Sequence, residues 1–97
     1  MGTIDFASQS IELSDAMKAE LDRVAKKLAG RSPRQIEVRS YSDGTDPYSR
    51  QVSLARALIV RSYLIDQGLK ARSIEVGTFS AGGAGEGERV DILALGL

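Results

Sequence analysis

The apolar positions of this chain change period several times, and each change marks an element. Thr3-Ile4-Asp5-Phe6 alternates polar and apolar residues and runs into the polar stretch Ala7 to Ser10, which predicts a short strand and a loop. From Leu13 the spacing lengthens. Leu13, Met17, Leu21, Val24 and Leu28 fall at steps of four, four, three and four, which line one face of a helix. Ser14 is placed to cap its start, Asp15 sits in its first turn, Lys26 and Lys27 lie in its last, and Gly30 is suited to close it. Pro33 prevents continuation and biases Ser32 toward extended backbone. Gln35 to Tyr41 then alternates with Ile36 and Val38 on one face, the pattern of a strand with one covered side.

Ser42-Asp43-Gly44-Thr45-Asp46-Pro47 holds the residue types of tight turns and is predicted to be a loop at the C-terminal end of that strand. The run from about Ser49 to Gln67 contains neither Gly nor Pro, is rich in Leu, Ala, Ile and Val, and stops at Gly68. It predicts a long second helix with a glycine cap. Leu54, Ala57, Leu58, Val60, Leu64 and Ile65 are expected to face the core, with Arg50, Arg56, Arg61 and Asp66 at its edges. Ser73 to Phe79 and Arg89 to Leu95 read as two further strands, joined by the glycine-rich stretch from Ser80 to Glu88. The predicted class is α/β: a two-layer sandwich in the order β-α-β-α-β-β, with a mixed four-stranded sheet on two main helices. Helical crossovers favour parallel neighbours, and the last loop is free to reverse the final strand.

Composition narrows the function. Ninety-seven residues with 42% apolar content fill one core, so residues 1–97 form a single domain. Thirteen Lys+Arg balance thirteen Asp+Glu, which argues against nucleic acid as partner because phosphate neutralisation requires a cationic surplus. Without Cys or His, the chain lacks the usual soft metal ligands, disulfides and the commonest nucleophile and base pairs. No stretch reaches the ~18 consecutive apolar residues of a membrane span, so direct membrane insertion is not expected. A start that enters a strand almost at once suggests a domain excised from a longer protein.

The glycine loop invites a test for phosphate binding and fails it. Gly83 and Gly85 are followed by Glu88 where a third glycine belongs, no Lys-Ser or Lys-Thr follows, and a strand comes next. Asp43 and Asp46 share one turn, where Asp is commonly found for local hydrogen-bonding reasons, and they are too few for a calcium site. No metal or cofactor is expected. More informative is Asp43 at the tip of the second strand together with Arg56 in the following helix, since ligands of open α/β sheets gather beyond the carboxyl ends of strands. Set among Leu54, Ala55, Ala57 and Leu58, the Arg56 guanidinium must reach solvent, pair with a carboxylate, or hold a ligand carboxylate bidentately.

Ser42-Asp43, the run Val52-Ser53-Leu54-Ala55-Arg56-Ala57 and Tyr63-Leu64-Ile65-Asp66-Gln67-Gly68 resemble the OmpA-like peptidoglycan-binding domain. That family's pattern is a strand ending in Thr-Asp, then Leu-Ser-x-x-Arg-Ala opening a helix that closes with Tyr-Leu and Gly. Here Val52 replaces the Leu, while Ser53, Arg56 and Ala57 keep their places. Ile4-Asp5-Phe6 and Arg89-Val90-Asp91-Ile92 are similar to further landmarks, so the likeness runs along nearly the whole chain.

The resemblance implies a non-catalytic module of the periplasm that anchors an outer-membrane or other envelope protein to the cell wall. Its implied partner is peptidoglycan, gripped by the meso-diaminopimelate of the peptide stem. Asp43 would accept from the ligand ammonium and Arg56 would fork onto its carboxylate, with Ser42, Ser49 and Arg89 at the positions of other site residues. Several positions depart from the pattern. Asp43 and Arg56 stand 13 positions apart, a shortened loop; Asp46 replaces a Gly, Ser49 an Asn, and Gly87-Glu88 an Asn-Arg pair. These departures touch the implied pocket and keep an alternative open: an OmpA-like scaffold that has lost peptidoglycan and binds proteins instead. An enzyme is disfavoured, because without His only a lysine is available as base and none lies near a credible nucleophile in sequence.

Overall fold

The computed structural model describes residues 2–6, 10–31, 34–42, 47–80 and 89–95. Strand β1 spans Gly2–Asp5, helix α1 Asp15–Arg31, strand β2 Gln35–Ser42 and helix α2 Pro47–Asp66; a 3-10 turn at Ala71–Ser73 precedes β3, Ile74–Ser80, and β4 is Arg89–Leu95. The order and kinds of element match the pattern read from the sequence.

The four strands lie in the order β1-β4-β2-β3. β2 and β3 are parallel, as the α2 crossover requires, and β4 runs antiparallel to both β2 and β1. The last strand is thus inserted between the first two.

One core joins both helices to one face of the sheet. From α1 it takes Leu21, Val24, Ala25 and Leu28, from α2 Ala57, Val60 and Leu64, and from the sheet Ile4, Ile36, Val38, Ile74, Val90 and Ile92. Each fully buried aliphatic side chain contributes about 1.5–3 kcal/mol. Leu13 and Met17 pack partly buried at the start of the α1 stripe. Ser14 caps α1, its Oγ accepting from the Met17 backbone N–H at 3.2 Å.

Two expectations are corrected here. Helix α1 does not close at Gly30 but runs to Arg31. Among the described glycines only Gly68 has a positive φ, and Gly30 stays within the helix. The larger correction concerns α2, whose buried residues are Ser53, Arg56, Ala57, Val60 and Leu64. Leu54 and Leu58, expected in the core, are each 44% exposed, whereas Arg56, expected at an edge, is 0% exposed. Between Ser53 and Leu58 the helix turns Ser53 and Arg56 inward and both leucines outward. The glycine-rich loop 81–88 lies outside the described residues.

Candidate functional site

The inner face of β2 changes character along its length. Ile36 and Val38 are apolar, and the next two residues of the same parity, Ser40 and Ser42, are equally buried hydroxyls. A strand that buries two serines at its C-terminal end must find partners for them, since an unsatisfied buried hydroxyl costs about 1–3 kcal/mol. Helix α2 supplies one, the Ser53 hydroxyl donating to Ser40 Oγ at 2.8 Å. One turn further along α2, Arg56 enters the same layer. Ser40, Ser42, Ser53 and Arg56 are the buried polar residues among those described, so the polarity of the interior is concentrated between the end of β2 and the first half of α2.

Arg56 is the largest fully buried side chain described. Its Nε–H donates to the Ser10 carbonyl at 2.7 Å, and its guanidinium carbon lies 5.0 Å from the centroid of the Phe6 ring. Phe6 and Ser10, which follow β1 in the chain, therefore both contact the arginine. Desolvating a guanidinium is costly, and hydrogen bonding and cation–π contact offset part of that cost. Among the described residues no buried side-chain polar atom is left without a partner. Such an enclosure keeps the guanidinium plane fixed, and in a low-dielectric setting it attracts a carboxylate more strongly than a surface arginine does.

The other residues singled out from the sequence are distributed as follows. Ser42 ends β2 at 4% exposure, and Ser49, in the first turn of α2, is half-buried. A small cleft of about 60 Å³ lined by Ser42, Arg50, Thr78 and Phe79 opens beside them. Arg89 starts β4 on the opposite face of the sheet, where its Nε lies 3.3 Å from both carboxylate oxygens of Asp91 and its guanidinium carbon 4.3 Å from the centroid of the Tyr41 ring. Asp43, Asp46 and Glu88 fall outside the described residues. The structure thus brings Ser42, Ser49 and Arg56 to one end of the molecule and turns Arg89 toward the uncovered side of the sheet. Ser40, Ser10 and Phe6 were missed in the sequence reading. Only Ser40 carried a signal, standing at the buried parity of β2.

The described residues hold no cluster of metal-ligating side chains, and none of the described helices is long and apolar enough to cross a membrane. The profile of the OmpA family matches residues 5–91. The chain belongs to the OmpA family. Solved structures agree on the fold. The OmpA-like domain of FopA1 from Francisella tularensis superposes with a TM-score of 0.80 at 17% identity, covering 98% of this chain and 71% of that one. The peptidoglycan-associated lipoprotein of Burkholderia pseudomallei gives 0.78 at 21% identity, covering 94% and 87%. The C-terminal domain of Helicobacter pylori MotB gives 0.74 at 21%, covering 96% and 83%. At these identities the likeness is one of fold. No curated protein sequence matches the chain. In this OmpA-family domain the family motif residues Ser53 and Arg56 are the ones that α2 buries against the polar end of β2.

Proposed function

We propose that this domain is a non-catalytic peptidoglycan-binding module, and that it tethers a larger envelope protein to the cell wall in the periplasm. The ligand is the meso-diaminopimelate of the peptide stem. Arg56 forks onto its carboxylate, Asp43 takes its ammonium, and Ser42 and Ser49 border the site, with Arg89 at the start of β4 on the uncovered face of the sheet. The observation that carries this reading is the enclosure of Arg56 at the polar end of the core. An arginine inside a 97-residue domain is an expense that leucine would avoid, and its position beyond the carboxyl end of β2 is where open sheets bind ligands. A zwitterionic amino-acid end requires one anion and one cation at fixed separation and no catalytic group. Family membership, and a structural relative that is itself named a peptidoglycan-associated lipoprotein, point the same way.

One observation favours a second reading, in which the scaffold has given up the ligand for protein partners. Arg56 is 0% exposed and its Nε–H is already engaged by Ser10, as a purely structural arginine would be. Calorimetric titration with a soluble stem peptide containing meso-diaminopimelate separates the two, with the lysine-containing peptide as control. The expected outcome is saturable binding to the first peptide only, lost in Asp43→Asn and reduced at least tenfold in Arg56→Lys, which keeps the charge but not the planar fork. A folded parent that releases no heat with either peptide selects the second reading.

A further inference from the structure

The outward side of α2 presents what its inward side lacks. Arg50, Leu54, Leu58, Ser62 and Asp66 follow one another at intervals of four, and all five are exposed. Such a row forms a ridge on a helix surface. Beside it runs a groove of about 320 Å³, lined by Leu13, Leu58, Ile59, Ser62, Tyr63 and Asp66. A leucine ridge next to an apolar groove is complementary to itself if a second helix arrives in the opposite direction.

The charges of the row point independently to the same direction. A helix dipole favours acids at the N-terminus and bases at the C-terminus, yet the first turn of α2 holds no acid and its last turn no base. Arg50 stands in that first turn and Asp66 is the last residue of the helix. Both oppose the dipole of their own helix. Antiparallel to a second α2, each faces the helix end and the charge that suit it.

We propose that two copies of this chain associate through their α2 helices, antiparallel about a twofold axis at Leu58. In that register Leu58 meets Leu58, Leu54 of each copy enters the groove beside Ser62 of the other, and Arg50 of each copy reaches Asp66 of the other at both ends. The ridges then lie parallel with the helix axes crossing at about 50°. Because the contact is one helix wide, its area falls below that of permanent dimers and the association is weak and concentration-dependent. The proposal does not rest on the cell-wall reading, since Leu54 and Leu58 are exposed on the side of α2 away from Arg56, although Arg50 at the end of the row also lines the cleft beside Ser42.

Sedimentation equilibrium of the whole chain across a concentration series tests it. The expected result is an average mass rising from the 10.4 kDa of one chain toward twice that value. Leu58→Asp holds the mass at one chain at every concentration, with circular dichroism verifying that the helices persist. Arg50→Asp and Asp66→Arg each weaken association about tenfold, and the double exchange restores it, because the pairs are intermolecular and symmetric. A folded parent that stays at one chain throughout overturns the proposal, as would an association site filled by a different protein instead. Dimers that survive Leu58→Asp, or that fail to recover in the double exchange, overturn it too.

Discussion

Enclosing Arg56 sets what its replacements do. Arg56→Ala removes a fully buried side chain and strips the Ser10 carbonyl of its donor, so a loss of about 2–4 kcal/mol is expected in urea unfolding. Any loss of binding in that variant would therefore be confounded with lost stability, and Arg56→Lys is the cleaner probe of the proposed binding. This burial was not legible in the sequence. Flanked by Leu54 and Leu58, an arginine reads as an edge residue, because local pattern ranks leucine inward. The residues that hold it are remote: Ser10 lies 46 positions away, and Phe6 precedes it in the chain. Nothing local announces a carbonyl waiting for a guanidinium. Ser53 was visible only as a letter of a family motif, and Arg56 was singled out by its pairing with a strand-end aspartate and by that motif, neither of which says which way the side chain points.

At the scale of elements, α2 and its C-terminal end were readable alongside the alternating strands, while its start lies at Pro47, two residues before the predicted Ser49. Gly68 closes the helix at φ 107°, its N–H donating to the Ile65 carbonyl at 2.9 Å while the Leu69 N–H donates to Leu64 at 3.2 Å. Both bonds belong to the six-residue helix-ending turn that glycine favours. Gly68→Ala is expected to cost about 1–2 kcal/mol through backbone strain alone, since an added Cβ meets nothing within 4 Å. A lower thermal midpoint with unchanged helix content is the measurable sign.

The two helices are also tied by the Tyr63 hydroxyl, which donates to Asp22 Oδ1 at 2.8 Å. That bond, aided by desolvation and by the nearby negative charge, raises the phenol above its ordinary pKa of 10.0. The folded chain keeps this proton where the unfolded chain has begun to lose it. The contribution is therefore complete below the ordinary value and is lost as pH rises through the raised one. Unfolding midpoints measured from about pH 8 to pH 11 should decline less steeply in Tyr63→Phe than in the parent. The pairing of Tyr63 with Asp22 joins helices 41 positions apart and had no local signature.

At the scale of the whole molecule, the described helices pack on one face of the sheet, and on the other face side chains of the strands pack against one another. Tyr41 and Phe79, neighbours across β2 and β3, stack with centroids 5.5 Å apart. Arg39 lies over Phe79 at 5.6 Å and pairs with Glu37, and Arg89 covers Tyr41 while pairing with Asp91. Phe79→Ala removes the ring shared by a stacked pair and a cation contact, and a loss of about 1–2 kcal/mol in chemical denaturation is expected. The two-layer class and the mixed sheet followed from the order of predicted elements. The insertion of β4 between β1 and β2 did not, because strand neighbours are chosen by burial across the whole chain rather than by any one segment.

That insertion has a mechanical consequence. Gly2 pairs with Ile92 and Asp5 with Arg89, so β1 runs from the end of the sheet opposite the buried arginine toward it. A tension entering at Gly2 and resisted near Arg56 is directed along the strands. It loads the β1–β4 hydrogen bonds in shear, all at once, instead of peeling them open one after another. Pulled in that direction the domain yields at high force, and pulled sideways through β3 it unzips at low force.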